Sequence, residues 1–145
     1  MSRIVSFRGK LADEGIDTIP LQTNNGLTGY KIVKFETMVA NPGPTSQQSI
    51  VKIFTIPQTA TPTSTIDFSD NTLLGASMLQ ETSTTDRIDS QNIIFDNMIF
   101  NQDIYITHKD YNAGEEINYH IELEQMDLNP DEATVATLKD IRNND

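Results

Sequence analysis

The sequence predicts a mainly β protein, an antiparallel β-sandwich or jelly roll with one C-terminal helix. Three observations lead there. Apolar and polar residues alternate with period two along most of the chain, the period of a strand with one buried face. Turn residues recur at intervals of about ten positions, the spacing of sandwiches built from short strands. Helix-start signals gather at one place, after Asn129. At 145 residues the chain is expected to be one domain, with 1–128 as the sandwich and 129–145 as a helix and tail of the same unit.

Residues 3–8 alternate, with Val5 and Phe7 on one side and Ile4 and Ser6 on the other. Asp13-Glu14-Gly15 is a turn. Residues 19–23 give a short strand in which Pro20 marks a strand start or an edge, because proline has no N–H for a ladder. Asn24-Asn25-Gly26 is a turn signal, since Asn and Gly tolerate positive φ. Residues 28–40 form a long strand. Val33, Phe35, Thr37 and Val39 share the face expected to meet the core in its second half. Asn41-Pro42-Gly43-Pro44 stops it.

Residues 49–56 are largely apolar on both faces and predict a central strand covered on both sides. The Thr/Pro-rich stretch 57–65 is an exposed loop. A strand at 72–79, a polar connection at 80–90 and a bent or bulged strand at 93–100 follow. Residues 103–108 and 116–128 flank a turn segment and predict a long hairpin. In its second arm Ile117, Tyr119, Ile121 and Leu123 point inward, while Asn118, His120, Glu122 and Glu124 point to water. Asn129-Pro130-Asp131-Glu132 then starts the helix: Asn as N-cap, Pro at the first helical position, Glu at the capping-box position. Lys139 and Arg142 near its end suit the helix dipole. Ala133, Val135, Ala136, Leu138 and Ile141 give a narrow apolar stripe.

Ten basic and 21 acidic residues leave a net charge of -11. Residues 1–56 are mildly basic, while 57–102 and 103–145 are acidic. A nucleic-acid binder needs clustered cations to displace counterions, so DNA or RNA binding is not expected. The acidity suits solubility and mutual repulsion of copies. The asymmetry also permits a basic N-terminal part to meet an acidic C-terminal part of a neighbour. No cysteine is present, which excludes disulfides, thiol catalysis and cysteine-ligated metals. No apolar run approaches the roughly 18 residues of a membrane span, and the N-terminus lacks an apolar signal core.

Motifs of chemistry are missing. The glycines form neither a phosphate-binding loop nor a dinucleotide fingerprint, and no nucleophile elbow, H-E-x-x-H pair or EF-hand loop occurs. The histidines are His108 and His120. In the expected hairpin they stand about 13 Å apart, too far for ligand atoms that must each lie about 2 Å from a zinc ion. The acid pairs Asp67/Asp70, Asp86/Asp89 and Glu115/Glu116 would suit calcium or a glycoside hydrolase. In so acidic a chain they are better read as solvated loop residues. No catalytic residue, metal or cofactor is expected, and the chain is not expected to be an enzyme.

Two fragments carry a resemblance. Gly26-Leu27-Thr28-Gly29-Tyr30-Lys31-Ile32 is one. Ile117-Asn118-Tyr119-His120-Ile121-Glu122-Leu123-Glu124, followed by Ala133-Thr134-Val135-Ala136-Thr137-Leu138-Lys139, is the other. Together they resemble small virion structural proteins of marine tailed bacteriophages. The resemblance implies a capsid decoration or cement protein, made in the host cytoplasm and resident in the virion. Its implied partners are the major capsid protein or other virion proteins and further copies of itself, as a trimer. A tail- or fibre-associated module that recognises host-surface glycans through loops 57–65 or 80–90 is the alternative. The expected interface residues are Arg3, Val5, Phe7 and Arg8, on a strand that would add to a neighbour's sheet edge, and Val135, Leu138 and Ile141 on the helix.

Overall fold

Eight strands form, most of them with period-two alternation: β1 (Arg3–Leu11), β2 (Ile16–Ile19), β3 (Thr28–Val39), β4 (Gln48–Phe54), β5 (Leu73–Thr82), β6 (Arg87–Ile94), β7 (Ile104–Asp110) and β8 (Ile117–Asp127). One helix follows, α1 (Pro130–Asn143). The structure is a computed structural model; it describes residues 3–42, 46–82, 87–95, 98–112 and 114–143, and of residues 82, 87 and 139–143 the backbone alone. Two antiparallel sheets face each other, a three-stranded one in the order β1-β8-β3 and a five-stranded one in the order β2-β7-β4-β5-β6. Ile32, Phe35, Ile121 and Leu123 from the first sheet and Val51, Ile53, Ile104 and Ile106 from the second fill the core between them. An eight-stranded jelly roll wraps its strands in the orders 1-8-3-6 and 2-7-4-5. The chain follows those orders with one exception: β6 stays hydrogen-bonded to β5 instead of crossing to β3.

Three connections pass between the sheets at one end: β1 to β2, β3 to β4 and β7 to β8. The last of these corrects the expected hairpin. β7 pairs with β2 and β4, whereas β8 pairs with β1 and β3. The cause is Asp110, whose carboxylate accepts N–H groups of Gln48 (3.0 Å), Asn112 (3.2 Å) and Glu115 (2.7 Å) and so folds the chain into an arch. The neighbouring arch is stitched to it. Asp110 N–H donates to Asp13 Oδ1, and His108 N–H donates to the Gly15 carbonyl. The Gln47 amide, in the third connection, donates to the Glu116 carbonyl.

A polar chain runs through this end. His108 Nδ1 lies 3.0 Å from the Ala12 carbonyl, which can only accept, so Nδ1 carries the proton. Nε2 then accepts from Ser49 Oγ at 2.9 Å, and Ser49 Oγ accepts from the Gln47 amide at 2.7 Å. His108, Ser49 and Gln47 are all wholly buried. Two buried acceptors of the described residues carry no hydrogen bond, Gln47 Oε1 and Thr107 Oγ1. A third tie between the sheets lies nearby. The Tyr119 ring covers Gly9, where a Cβ would stand 2.7 Å from the phenol oxygen, and its hydroxyl donates to Asp17 Oδ2 on β2.

Other departures from the alternation have equally local causes. The strand expected at 19–23 ends at Ile19, because the N–H groups of Leu21 and Gln22 donate to Asp103 Oδ1 rather than to a ladder. A bulge between Ile32 and Lys34 switches the faces of β3: Tyr30 and Ile32 point inward before it, Phe35 and Val39 after it, and Val33 is left exposed. The polar connection expected at 80–90 is mostly strand, since the ladder with β5 satisfies its backbone and an edge strand needs no apolar face. The strand expected at 93–100 is the end of β6 and a return segment, from which Phe100 makes a single bridge to Tyr30; Asp96 and Asn97 lie outside the described residues. The doubly covered strand is β4. Its outward Lys52 is buried, donates to the Thr65 carbonyl at 2.8 Å and lies over the Phe54 ring. Burial lowers its pKa, and Asp70 opposes that shift.

Burial also pushes the His108 imidazole below its ordinary value of 6.5, against the opposing pull of the Ala12 carbonyl and the Asp13 and Asp110 carboxylates. The unfolded chain therefore binds more protons than the native one as pH falls through 6.5. Stability should be lost from that pH downward until the native ring itself protonates, with a slope of at most about 1.4 kcal/mol per pH unit. Urea midpoints measured against pH should show this component in the parent chain and lack it in His108→Gln.

Candidate interaction surface

Among the described residues, no group of three or more His, Asp or Glu side chains could hold a metal ion. The two histidines lie on different sheets. His108, expected beside a turn, is 0% exposed in the interior. His120 lies on the outer face of the three-stranded sheet, 3.6 Å from Glu36. Ser49 and His108 have the contact of a nucleophile and its base, but neither reaches solvent. The acid pairs are occupied with local structure. Asp67 Oδ1 accepts from the Ser69 hydroxyl and N–H, which lower its pKa, and Asp70 Oδ1 accepts from the same groups of Thr72. Glu115 accepts from Asn41, and Glu116 lies 3.7 Å from Lys10. Asp86 lies outside the described residues.

The outer face of the three-stranded sheet shows where the uneven charge goes. β8 carries Glu122 and Glu124, and its neighbours carry the cations: Lys34 stands opposite Glu122 and Lys31 opposite Glu124. Arg8 is opposite His120 from the other side. The basic N-terminal strands thus flank an acidic strand of the same chain. Each exposed pair contributes little alone, but like charges directly opposite would count against this order. A groove of about 820 Å³ includes Arg8, Lys10, Glu36, Met38, Asn118 and His120 in its lining. Arg8 and Asn118 make no side-chain hydrogen bond or ion pair among the described residues.

The expected interface residues separate into two kinds. Arg3 and Arg8 are exposed on β1, an edge strand. Val5 and Phe7 turn inward and pack against the core of their own sandwich. On α1 the stripe divides. Ala133 and Ala136 are buried, whereas Val135 and Leu138 are each 53% exposed on the far side. The Ile141 side chain lies outside the described residues. The helix starts as its sequence dictates: Glu132 N–H donates to Asn129 Oδ1 at 2.8 Å, and Asn129 N–H donates to Glu132 Oε1 at 3.1 Å.

Two features escaped the sequence reading. One is Asn101, wholly buried, whose amide donates to the Gly26 and Ala133 carbonyls and to Thr137 Oγ1, fastening α1 to the sandwich. An asparagine in a polar connection gives no signal of this. The other is β6, whose residues 88–93 are all exposed, Ile88 by 51%.

No protein family and no curated protein matches the sequence. Among solved structures, the chain is similar to the Drosophila NLP core, studied for pentamer formation and histone binding, with 9% identity over 83% of this chain and 95% of that one and a TM-score of 0.45. It is similar to a protein of Bacillus endospore appendages, a family of disulfide-linked pili, with 10% identity over 89% and 92% and a TM-score of 0.37. It is also similar to the Yersinia pseudotuberculosis-derived mitogen, with 8% identity over 89% and 88% and a TM-score of 0.31. Likenesses this distant carry no functional argument. The fold itself defines the class: a β-sandwich with a docked C-terminal helix.

Asn101→Ala should free α1 without opening the sheets. Far-UV circular dichroism should lose its helical component and keep its β signal, and limited proteolysis should remove the C-terminal segment faster than in the parent chain.

Proposed function

We propose that the chain is a non-enzymatic virion structural protein, a capsid decoration or cement protein of a tailed bacteriophage that stabilises the shell through subunit contacts. The observation that carries this reading is the placement of exposed apolar side chains on regular elements. Val135 and Leu138, one turn apart, form a pair on the outer face of α1. Isolated exposed apolar residues are ordinary; a pair on a helix fastened to a rigid sandwich is a preformed contact. Such a protein binds by burying surface, and a stable contact covers about 1,600 Å² in total. The resemblance to virion structural proteins supplies the partner, the major capsid protein or another shell component.

Arg8, Asn118 and Met38 favour one second reading, a tail- or fibre-associated module that binds host-surface glycans. Two polar side chains without partners among the described residues stand beside a methionine that is 69% exposed, in a groove of the size that holds small ligands. Its site would be this sheet face rather than the loops. Loop 57–65 ends against Lys52, and much of 80–90 is strand. On a glycan array this reading expects binding to carboxylated sugars that Arg8→Ala abolishes.

Co-sedimentation with capsids stripped of the protein tests the first reading. The parent chain should saturate the shells and raise their melting temperature. Val135→Lys combined with Leu138→Lys should bind at least about tenfold more weakly, a loss of about 1.4 kcal/mol, with its own melting temperature unchanged. Failure of the parent chain to bind the shells would overturn the proposal.

A further inference from the structure

An open sheet edge presents unpaired N–H and C=O groups and invites another strand unless something blunts it. The sandwich has four edges: β1 and β3 in one sheet, β2 and β6 in the other. Three are blunted. β2 is four residues long and is followed by Pro20. β3 bulges after Ile32, and Phe100 covers part of it through two hydrogen bonds with Tyr30. β1 carries Arg3, Arg8 and Lys10, so a second β1 laid against it would bring like charges together.

β6 is the least blunted of the four. It contains no proline, and its pairing with β5 runs without a bulge. Its charged residues are Arg87 at its start and Asp89, of opposite sign. Ile88 and Ile93 are exposed on its two faces. The strand order explains its state. By staying beside β5 rather than crossing to β3, β6 lies at the end of the five-stranded sheet.

We infer that β6 is a self-association edge: two copies pair their β6 strands antiparallel about a two-fold axis, joining their five-stranded sheets into one. A two-fold axis perpendicular to the sheet keeps each face on its own side, so opposed residues must share a face. An axis through Gln91 satisfies this. It sets Gln91 against its own copy, Ser90 against Asn92, Asp89 against Ile93 and Ile88 against Ile94. The two Asp89 side chains then stand four positions apart, about 13 Å, beyond the Debye length of about 8 Å at physiological salt. An axis through Ser90 sets Ile88 against Asn92 and brings the two Asp89 to about 7 Å. Apolar matching and charge both choose Gln91. Because each copy carries a net charge of -11, added salt strengthens this pairing, the reverse of a salt-bridged contact.

The contact goes beyond the shell-binding reading, which needs no self-pairing and is tested on capsids. The chain has no cysteine, so Gln91→Cys introduces a single thiol. Opposed Cα atoms in an antiparallel pair lie about 4.5–5.5 Å apart, within the range of a disulfide, about 4.4–6.8 Å. Under mild oxidation Gln91→Cys should form a covalent dimer of twice the 16.2 kDa chain mass. It should do so about tenfold or more faster than Ser6→Cys on the exposed face of β1, because paired strands hold the two thiols together. Light scattering should give a dimer for the parent chain and a monomer for Ile88→Lys combined with Ile93→Lys, at an unchanged melting temperature. A parent chain that stays monomeric at every concentration and salt would overturn the inference. So would a dimer indifferent to both lysines, or equal cross-linking rates at positions 91 and 6.

Discussion

Asp110 collects backbone N–H groups from Gln48, Asn112 and Glu115 at the point where the chain leaves one sheet for the other. A carboxylate 3% exposed is costly to bury, and hydrogen bonds to an ionised group are the kind that offset such a cost. The consequence reaches every strand. With the arch closed, β8 becomes the centre of the three-stranded sheet and β7 an interior strand of the other. The β1–β2 arch then fits beside it through Ala12, Asp13 and Gly15, and His108 and Ser49 fill the interior between. If the same two strands paired as a hairpin, β8 would keep a single edge and could not hold both β1 and β3.

What the sequence disclosed follows from this. Periodicity reports which side of a strand is buried, so the inward set Ile117, Tyr119, Ile121 and Leu123 was legible residue by residue. Capping is local chemistry, so the start of α1 was legible too. Pairing is not local. Residues 109–115 suit a hairpin turn as well as an arch, and only the positions of Gln48 and Asp13 decide between them. The face switch at Val33 and the diversion of Leu21 and Gln22 to Asp103 have the same character: each depends on a partner far along the chain. β6 was missed because its polar residues mimic a loop, and Asn101 because a buried asparagine looks like any other.

The surfaces fall into place around this frame. Lys31 and Lys34 of β3 lie against Glu124 and Glu122 of β8, so part of the charge asymmetry of the sequence is met within one chain. Val5 and Phe7 cover the core and leave β1 a charged edge. Among the apolar side chains that remain outside are Val135 and Leu138 on the helix and Ile88 and Ile93 on β6, one element fastened by Asn101 and the other the last strand of its sheet. A rigid sandwich with contacts of this kind is suited to assembly, and the reading as a shell component rests on that suitability.

The most direct measurement is native-state hydrogen exchange at the arch. If the Asp110 corner holds the two sheets together, the amides of Asp110, Asn112 and Glu115 should open only with the whole molecule, at the same free energy as Ile121 and Leu123 in the middle of β8. If these three amides exchange through a cheaper local opening while β8 stays protected, the arch is a late closure on sheets that stand without it, and the account of the fold given by Asp110 is wrong.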